Sequence, residues 1–433
     1  MYLGIDLGTT GLKCVMYDKS GKELYEYNKE YPLIFIGSYV EQDAGVWWEK
    51  ITEAVRELSA KCGSDVEALS ISTQGISFVP VDRAGNTLYN SINWLDMRAE
   101  EECRELLDRF GEDELFFKTG KPADASYSLP KIMWFKKHCP EVYEKTYKIL
   151  FPLDYLNMKL TGKFVTDYTI AGGTMLYNIR ELCWDKEITE FCGIDVSLLP
   201  DVCRMGEDIG KILPAVAKEL GISENCRVIM GGQDQKIAAI GAGIGDGVCT
   251  MSFGTATAVT KLVKEPPEKS PVSLFRLNDE YYVSEGVAET TGAALKWLSR
   301  MMGNLSYKEM DSLAESSRPG ANGVKAVTSF SVGASFEGMT LSTTQGDMIY
   351  ALYEGVCSEV CERIEEMGGA EEIRVFGGGS KGRIWCEILA RITGCKICIL
   401  DTSETASLGA AILASKGKIA PCGVKEVIDP KSL

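Results

Sequence analysis

The feature of this sequence that most constrains its fold is a short phrase that occurs twice. Residues 2–16 read YLGIDLGTTGLKCVM, and residues 247–260 read GVCTMSFGTATAVT. Each phrase is an apolar run, a Gly-Thr turn and a second apolar run, which is the pattern of a β-hairpin with a tight turn. A Gly-Thr turn offers backbone N–H groups and a hydroxyl, which suit a phosphate. Two such turns predict two related half-molecules that close on a polyphosphate.

Length and composition bound the class of protein. A chain of 433 residues favours two domains, each with a sizeable core. A content of 45% apolar and 25% charged residues is typical of a soluble globular protein. No apolar run approaches the roughly 18 residues of a membrane span. The N-terminus begins with a strand-like segment and does not resemble a signal peptide, so the sequence predicts a cytoplasmic protein.

The net charge of −16 argues against two classes of partner. Nucleic acids and anionic membranes are bound by basic surfaces, so we expect no nucleic-acid or membrane partner. A nucleotide is compatible with this charge, because backbone amides, one Lys and a bound Mg²⁺ can hold ATP in an acidic protein.

The 15 cysteines are odd in number and scattered, which is typical of reduced core residues. Cys395 and Cys398 have Cys-x-x-Cys spacing, but no second pair stands at zinc-finger distance, so a metal or redox role is disfavoured. The only histidine, His138, precedes Pro140 at the expected end of a helix, where a cation is favoured. A histidine base is therefore not expected.

Strand and helix patterns alternate along both halves of the chain. Residues 1–30 predict strands joined by tight turns, and Asp43 precedes a helical pattern that ends at Gly63. We place the domain boundary near residue 242, which gives an N-terminal lobe of residues 1–242 and a C-terminal lobe of residues 243–433. No low-complexity linker marks this boundary, which favours packed lobes with a central cleft.

Asp6 lies just before the first Gly-Thr turn, inside an apolar strand, where a carboxylate is costly unless it is paired or near a metal. One interpretation is that Asp6 holds Mg²⁺ through water while the turn wraps phosphate oxygens and Lys13 neutralises them. The turn residues are Gly8, Thr9, Thr10 and Gly11. The alternative is a plain hairpin whose Asp is satisfied by turn amides.

The segment GGQDQ, residues 231–235, is a second candidate. Asp234 follows a buried strand and precedes a helix, at the sheet edge where α/β folds place ligands. A carboxylate there could accept the proton of a substrate hydroxyl during phosphoryl transfer, a contribution of roughly 10²- to 10⁴-fold. Gln235 offers an amide to a neighbouring hydroxyl. The alternative interpretation of Asp234 is an N-cap, worth about 1 kcal/mol.

Glycines in the second half are weaker signals. Gly254 and Thr255 form the second turn, and Gly292 begins a helical segment. Three glycines at 377–379, between a strand and a helix, would let the backbone approach a flat ligand such as adenine or ribose. Glycine runs also simply join strand to helix, so this run alone leaves both interpretations open.

Residues 93–98, NWLDMR, suit polyol recognition. Asp96 and Arg98 can bind hydroxyls, and the aromatic face of Trp94 can pack on sugar carbons. Gln74 ends a buried strand and could reach the same pocket. The alternative is a surface Asp before a helix with a solvated Arg.

Taken together, these motifs resemble the FGGY carbohydrate kinases, of the actin, hexokinase and heat-shock ATPase superfamily. The resemblance covers nearly the whole chain. It rests on GIDLGTTGLK, WLDMRA, DYLNMKLTGKFVTDYTIAGGTM, GGQDQKIAAIGAG, MSFGTAT, TTGAALKWL, VFGGGSKGRIWCEILA and LGAAILA. It implies an α/β fold of two actin-like (ribonuclease-H-like) lobes with a central cleft.

The resemblance also implies roles for matching residues. It implies a catalytic base at Asp234 and a Mg²⁺-associated carboxylate at Asp6. Phosphate or nucleotide contacts are implied at Gly8, Thr9, Thr10, Gly11, Lys13, Gly254, Thr255, Gly292, Gly378 and Gly379. Sugar contacts are implied at Gln74, Gly75, Asp96 and Gln235. The implied reaction is phosphorylation of a small-molecule sugar with ATP and Mg²⁺, with lobe closure expelling water. A homodimer is compatible with the resemblance, because dimers are common in the family.

Departures from the family pattern bear on the substrate. Glycerol kinases follow the Gln of the third strand with Arg-Glu, and xylulose kinases with Met-His-Gly, whereas Gln74 is followed here by Gly75-Ile76-Ser77. The chain looks nearest to the xylulose kinases, which implies a ketopentose such as xylulose. The alternatives are a kinase for another polyol or ketose (tetritol, pentitol, ribulose or hexulose) and a non-catalytic, nucleotide-dependent sugar-binding regulator.

Overall fold

The computed structural model describes residues 1–328, 330 and 333–433, which form two compact units. The first unit consists of Met1–Gly241, Val263–Val283 and Thr405–Pro421, and the second of Ala242–Leu262, Ser284–Glu404 and Cys422–Leu433. Two segments of the first unit thus come from the part of the sequence assigned to the C-terminal lobe.

The described part of the chain is a mixture of strands and helices, as the α/β prediction requires. The strands are β1 (Tyr2–Leu7), β2 (Gly11–Tyr17), β3 (Glu23–Glu30), β4 (Ile34–Ile36), β5 (Tyr39–Gln42), β6 (Ala68–Thr73), β7 (Val79–Val81), β8 (Ser91–Ile92), β9 (Lys148–Leu150), β10 (Val165–Asp167), β11 (Tyr177–Asn178), β12 (Cys183–Trp184), β13 (Asp201–Cys203), β14 (Asp208–Lys211), β15 (Arg227–Gln233), β16 (Val248–Phe253), β17 (Thr257–Val263), β18 (Ser273–Arg276), β19 (Tyr282–Ala288), β20 (Lys325–Val327), β21 (Ser335–Glu337), β22 (Glu372–Phe376), β23 (Lys396–Leu400) and β24 (Val424–Ile428). The α-helices are α1 (Ala44–Cys62), α2 (Glu100–Thr119), α3 (Ser128–His138), α4 (Pro140–Tyr143), α5 (Pro152–Thr161), α6 (Tyr168–Gly172), α7 (Lys186–Cys192), α8 (Pro214–Leu220), α9 (Asp234–Gly241), α10 (Gly292–Met301), α11 (Tyr307–Ala314), α12 (Gln345–Glu366), α13 (Arg383–Thr393) and α14 (Thr405–Ala414).

A six-stranded sheet with the order β14-β15-β6-β1-β2-β3 is the centre of the first unit. The predicted hairpin is present, because β1 pairs antiparallel with β2. In contrast, β1, β6 and β15 are mutually parallel. Their carboxyl ends therefore meet at one edge of the sheet, and this edge carries the polar side chains discussed below.

Helix α1 shows how local sequence sets an element. Asp43 accepts a hydrogen bond from the amide of Gly45 at 2.8 Å, which caps the helix start. Trp47 and Ile51 recur at helical spacing and are buried against the sheet core. The helix ends at Cys62 with Gly63 as its C-cap, as its sequence predicts.

Helix α14 packs closely on β1 and α9 through glycines. A Cβ placed on Gly4 of β1 would lie 1.9 Å from the carbonyl oxygen of Ser407, and one on Gly409 would lie 2.0 Å from that of Ile237. A Cβ placed on Gly241, at the end of α9, would lie 1.9 Å from the carbonyl oxygen of Thr405. No other residue type fits at these backbone contacts, so the glycines bring α14 into the first unit.

The second unit repeats the hairpin. Strand β16 pairs antiparallel with β17 and parallel with β22, which pairs parallel with β23. The carboxyl ends of β16 and β22 therefore lie side by side. Beneath them, the ring of Trp385 stacks on Tyr353 with centroids 5.3 Å apart and lies 4.2 Å from Phe253.

Other sequence expectations concern single residues and the membrane. Helix α3 ends at His138, whose ring stacks on Trp134 at 4.7 Å. Cys395 and Cys398 are buried free thiols, and burial raises the pKa of Cys398 to about 11. None of the helices within the described ranges combines the length and apolarity that a membrane span requires.

Candidate active site

The carboxyl ends of β1, β6 and β15 bring candidate residues of the first unit together. Asp6 on β1 lies opposite Ser72 on β6, which in turn lies opposite Gly232 on β15. Because neighbouring strands are about 4.8 Å apart, the backbones of Asp6 and Gly232 are about 10 Å apart. Gln74 follows β6 directly, and Asp234 follows β15 directly. Three of the predicted site residues thus project from one sheet edge.

Asp6 is a half-buried carboxylate held by a neighbouring strand. The hydroxyl of Ser72 donates to its Oδ1 at 2.7 Å. Lys13 is the cross-strand partner of Asp6, so both side chains lie on the same face of the sheet. The Lys13 ammonium is 3.0 Å from Glu26, an acidic partner that the sequence did not indicate.

Backbone hydrogen bonds fix the first Gly-Thr turn. The amide of Gly8 donates to the carbonyl of Gly11 at 2.9 Å and closes the hairpin. Tyr31 holds the turn from the side, because its amide donates to Thr10 O at 3.0 Å and its hydroxyl donates to Gly8 O. These hydrogen bonds give the turn a defined shape.

Asp234 begins α9, and both of its neighbours orient it. The side-chain amide of Gln233 donates to Asp234 Oδ1 at 2.6 Å, and the backbone amide of Gln235 donates to the same oxygen at 2.7 Å. A Cβ placed on Gly75 would lie 2.9 Å from Cγ of Gln233, so Gly75 makes room for the residue that positions Asp234. Asp234 itself is half-buried.

A buried carboxylate supports the strand that carries Asp234. Asp167 accepts hydrogen bonds from the Thr169 amide at 2.8 Å and from its hydroxyl at 2.7 Å. The same hydroxyl oxygen accepts from the Gln233 amide at 2.9 Å. Burial raises the pKa of Asp167 to about 6, against these hydrogen bonds and the charge of Lys236.

Three buried amide side chains form a network beside the first turn. Gln74 Nε2 donates to Gln42 Oε1 at 2.7 Å, and Asn93 Nδ2 donates to the same oxygen at 2.8 Å. Asn93 Nδ2 also lies 3.2 Å from Gln74 Oε1. Gln42 reaches the turn, since its Nε2 donates to Thr9 O at 2.7 Å. Lys131, whose pKa burial lowers to about 7, donates to Asn93 O at 2.9 Å.

Asp96 is fully buried in an ion pair with Arg98. Its carboxylate accepts from Arg98 Nε and Nη2, both at 2.7 Å, and from the Val40 amide at 2.6 Å. Burial alone raises the pKa of Asp96, but the Arg98 guanidinium and these amides outweigh it and lower the pKa below its usual value. The guanidinium also stacks on Tyr39 at 3.9 Å. Arg98 is therefore not a solvated side chain, and a sugar contact by Asp96 stays a prediction.

The second turn contacts the start of α10. The amide of Gly292 donates to Gly254 O at 3.2 Å, and the amide of Ala293 donates to Thr255 O at 3.0 Å. A Cβ placed on Gly292 would lie 2.4 Å from Gly254 O, so the predicted glycine is needed for this contact. Gly254 and Thr255 are exposed. The structure thus brings together three predicted residues of the second unit.

The glycine run after β22 lies against the same hairpin. Gly377 has φ of 91° and would place a Cβ 2.8 Å from Phe253 O. A Cβ placed on Gly379 would lie 2.9 Å from the Phe253 ring, whereas one on Gly378 would meet no atom within 4 Å. Gly378 is exposed, so its backbone is open to a ligand.

Sequence reasoning missed several residues that hold the site. Ser72, Thr169, Gln42 and Asn93 were not singled out, although each contacts a predicted residue or its strand. A signal existed for two of them, because Ser72 and Gln42 are polar residues in the last two positions of strands whose residues are mostly buried. The positions of Thr169 and Asn93 depend on contacts with distant segments. Gln235 contributes its backbone amide to Asp234, and its predicted sugar contact is untested.

A metal site built from protein alone is absent from the described residues. Across 1–328, 330 and 333–433, His, Cys, Asp and Glu side chains form no group of three that could hold a metal ion. Mg²⁺ usually binds one or two carboxylates together with substrate phosphates and water. Asp6, half-buried and oriented by Ser72, fits that kind of site.

Comparison with known proteins gives a consistent picture. Residues 1–241 match the N-terminal domain of the FGGY family of carbohydrate kinases, and residues 245–417 match the C-terminal domain of that family. The xylulose kinase of Bacillus subtilis (strain 168) is 32% identical, over 96% of this chain and 88% of its own.

Solved structures share the fold. A ligand-bound xylulose kinase from Lactobacillus acidophilus has a TM-score of 0.94 at 24% identity and covers 99% of this chain and 93% of its own. A gluconate kinase from Lactobacillus acidophilus has the same TM-score of 0.94, identity of 24% and coverage of 99% and 93%. At this identity the likeness is one of fold, and it does not separate the two substrates.

Proposed function

The chain belongs to the FGGY family of carbohydrate kinases, and we propose that it transfers the γ-phosphoryl group of ATP to a terminal hydroxyl of a ketopentose such as xylulose. The observation that carries this proposal is the sheet edge of the first unit. There a carboxylate suited to a base (Asp234), a carboxylate suited to a metal (Asp6) and a hydroxyl-binding amide (Gln74) end three neighbouring parallel strands.

In this proposal Asp234 is the general base. As the substrate oxygen bonds to phosphorus, the carboxylate takes the hydroxyl proton. General-base help of this kind contributes roughly 10²- to 10⁴-fold. Gln233 and the Gln235 amide hold Oδ1 and thereby fix the direction of the carboxylate. Such fixed geometry matters because phosphoryl transfer depends mainly on positioning and electrostatics.

We assign the Mg²⁺-associated role to Asp6. When bound, the ion neutralises charge on the phosphates of ATP. The Ser72 hydroxyl keeps the Asp6 carboxylate in place for that role. Lys13, on the same face, adds positive charge that Glu26 partly balances.

In the second unit we assign the nucleotide to the turn and the glycine run. Gly254 and Thr255 are exposed, and Thr255 is assigned to offer its amide and hydroxyl to phosphate oxygens, whereas the Gly254 amide bonds within the turn to Ser252 O and Ala256 O, both at 3.2 Å. Gly292 supports that turn from α10. Gly378 and Gly379 are assigned to the nucleoside, since backbone without side chains allows close approach.

The amide network favours a neutral sugar over gluconate. Gln42, Gln74 and Asn93 are uncharged, and they are buried and bonded to one another, so in this proposal a hydroxyl or keto oxygen replaces one of these bonds. Two cations touch this region, Lys131 and Arg98, but both side chains are fully buried and bonded to protein groups. A carboxylate substrate would gain little from cations in that position. We therefore place ketopentoses ahead of gluconate, and we place them ahead of tetritols, pentitols and hexuloses on the similarity to xylulose kinases.

An ATP-consumption assay across these sugars, with and without Mg²⁺, tests the proposal. We expect Mg²⁺-dependent consumption stimulated most by a ketopentose, and a phosphorylated sugar as product. D234N should lose roughly 10²- to 10⁴-fold in kcat with ATP affinity nearly unchanged, whereas D201N, at an exposed position on β13, should behave as wild type. Wild-type turnover in D234N would contradict the base assignment. Absence of stimulation by any sugar would favour a sugar-binding regulator instead.

A further inference from the structure

The first Gly-Thr turn, Gly8–Gly11, is in direct contact with the sugar-side segment, which we define as residues 93–98. The indole Nε1–H of Trp94 donates to Thr9 Oγ1 at 2.8 Å. Trp94 was expected from the sequence only to offer its aromatic face to a sugar. Its polar edge is instead bonded to a residue predicted to bind phosphate.

The backbone around Trp94 is fixed, so this contact has a defined geometry. The Trp94 amide donates to the Ser77 hydroxyl at 3.0 Å, and the Asn93 amide donates to Val40 O at 3.0 Å. The buried Lys131 ammonium donates to Asn93 O at 2.9 Å. These bonds come from three different parts of the first unit, which limits the positions that the indole can take.

Hydroxyl chemistry gives the contact a direction. An indole N–H can only donate, whereas a hydroxyl has one hydrogen and two lone pairs. Thr9 Oγ1 must therefore accept from Trp94, and its own hydrogen points away from the indole. A hydroxyl held this way is a donor suited to an anion, with little reorientation needed when the anion binds.

We propose that Trp94 is a positioning residue for phosphoryl transfer: its indole N–H orients the Thr9 hydroxyl as a donor toward a phosphate oxygen of the bound nucleotide. This inference rests on the proposed kinase function. It ties the sugar-side segment to the phosphate turn, because the same segment carries Asn93, which bonds to Gln42 and Gln74. The segment proposed to contact the sugar is therefore bonded to the turn proposed to contact phosphate.

The variant W94F tests the proposal because it removes the N–H and keeps an aromatic face. Trp94 is 37% exposed, so the variant is expected to fold. Loss of one oriented hydrogen bond should lower kcat roughly three- to tenfold while KM for the sugar stays nearly unchanged. W48F, on α1, is the matched control and should keep wild-type kinetics. A raised sugar KM with unchanged kcat would mean that Trp94 only packs on the sugar and would overturn the proposal, as would unchanged kinetics.

A double-mutant cycle with T9V separates this role from a general structural one. T9V removes the hydroxyl and keeps the branched side chain. If Trp94 acts through that hydroxyl, adding W94F to T9V should cause no further loss of kcat. Multiplying losses would overturn the proposal. An inactive wild-type protein would instead refute the proposed function, so the two failures are distinguishable.

Discussion

Asp167 holds the strand that carries the candidate base, but its burial also lowers the stability of the folded protein. Its carboxylate is fully buried and accepts three hydrogen bonds, two from Thr169 and one from the Ile170 amide at 2.9 Å. Through the Thr169 hydroxyl it also fixes Gln233, the residue before the candidate base. Burial nevertheless makes ionisation of Asp167 unfavourable in the folded protein.

This cost predicts a pH-dependent difference between wild type and D167N. Because burial raises the pKa of Asp167 from 3.8 to about 6, the folded state binds more protons than the unfolded state between those pH values. The contribution of Asp167 to the free energy of unfolding therefore decreases as pH rises through that window. Relative to D167N, wild type should lose about 2 kcal/mol between pH 4 and pH 7. Denaturant unfolding of both proteins at several pH values measures this change, and a constant difference would contradict it.

Asp6 and Ser72 allow a test of the metal assignment. D6N keeps an oxygen that can accept from Ser72 but loses the negative charge, so we expect the Mg²⁺ concentration for half-maximal activity to rise. S72A keeps the charge and loses only the orienting bond, so its rise should be smaller, on the order of tenfold. Mg²⁺ titrations at fixed ATP measure both. Equal values for wild type and D6N would remove Asp6 from the metal site.

For individual residues, the local sequence indicated candidate site residues but not the distant residues that contact them. Asp6 and the first turn stand out because an apolar run, a carboxylate and a Gly-Thr pair are neighbours in sequence. The bond between Trp94 and Thr9 joins residues 85 positions apart, and nothing local to either one indicates it. One interpretation of the sequence made Arg98 a solvated side chain. Its burial likewise depends on distant residues, Glu41 and Tyr39 of strand β5.

Among the elements, hairpins and amphipathic helices follow from sequence, whereas close helix packing does not. Both Gly-Thr hairpins and the bounds of α1 agree with their patterns, because turn residues, caps and hydrophobic spacing are local. Helix α14 is apolar on nearly every face, which indicates a buried helix but not what covers it. The contacts made by Gly4, Gly241 and Gly409 supply that information only in three dimensions.

The variant G409A tests this packing. Alanine is favoured over glycine in a helix by about 1 kcal/mol, so propensity alone predicts a gain in stability. The added Cβ would lie 2.0 Å from the Ile237 carbonyl oxygen, a backbone atom that cannot move alone. We therefore expect a loss of about 3 kcal/mol, the upper end for overpacking, measured by denaturant unfolding. In the control G245A the Cβ meets no atom within 4 Å. Equal stability of both variants would contradict the predicted clash.

For the whole molecule, neither compact unit is a single continuous stretch of the chain. The sequence suggested one cut near residue 242, because the hairpin repeat begins again there. In the structure, Thr405–Pro421 belongs to the first unit, although it lies far along the chain. Most residues of α14 are buried there against β1 and α9. The first unit is therefore incomplete without a segment that comes late in the sequence.

This topology predicts that residues 1–241 do not fold alone. Without α14, the face of β1 that carries Gly4 and the contact surface of α9 would be exposed to water, a loss of apolar burial that is large compared with the net stability of a domain. We expect this fragment to lack a cooperative thermal transition by circular dichroism. Because Gly241 contacts Thr405 directly, residues 405–421 can be joined to it by a short Gly-Ser linker. Val263–Val283 is absent from both the fragment and the fusion, so the comparison isolates α14: the fusion should be more cooperative than the fragment, and a fusion carrying G409A less so. A sharp transition in the 1–241 fragment itself would show that α14 is dispensable and that the sequence boundary alone defines a folding unit.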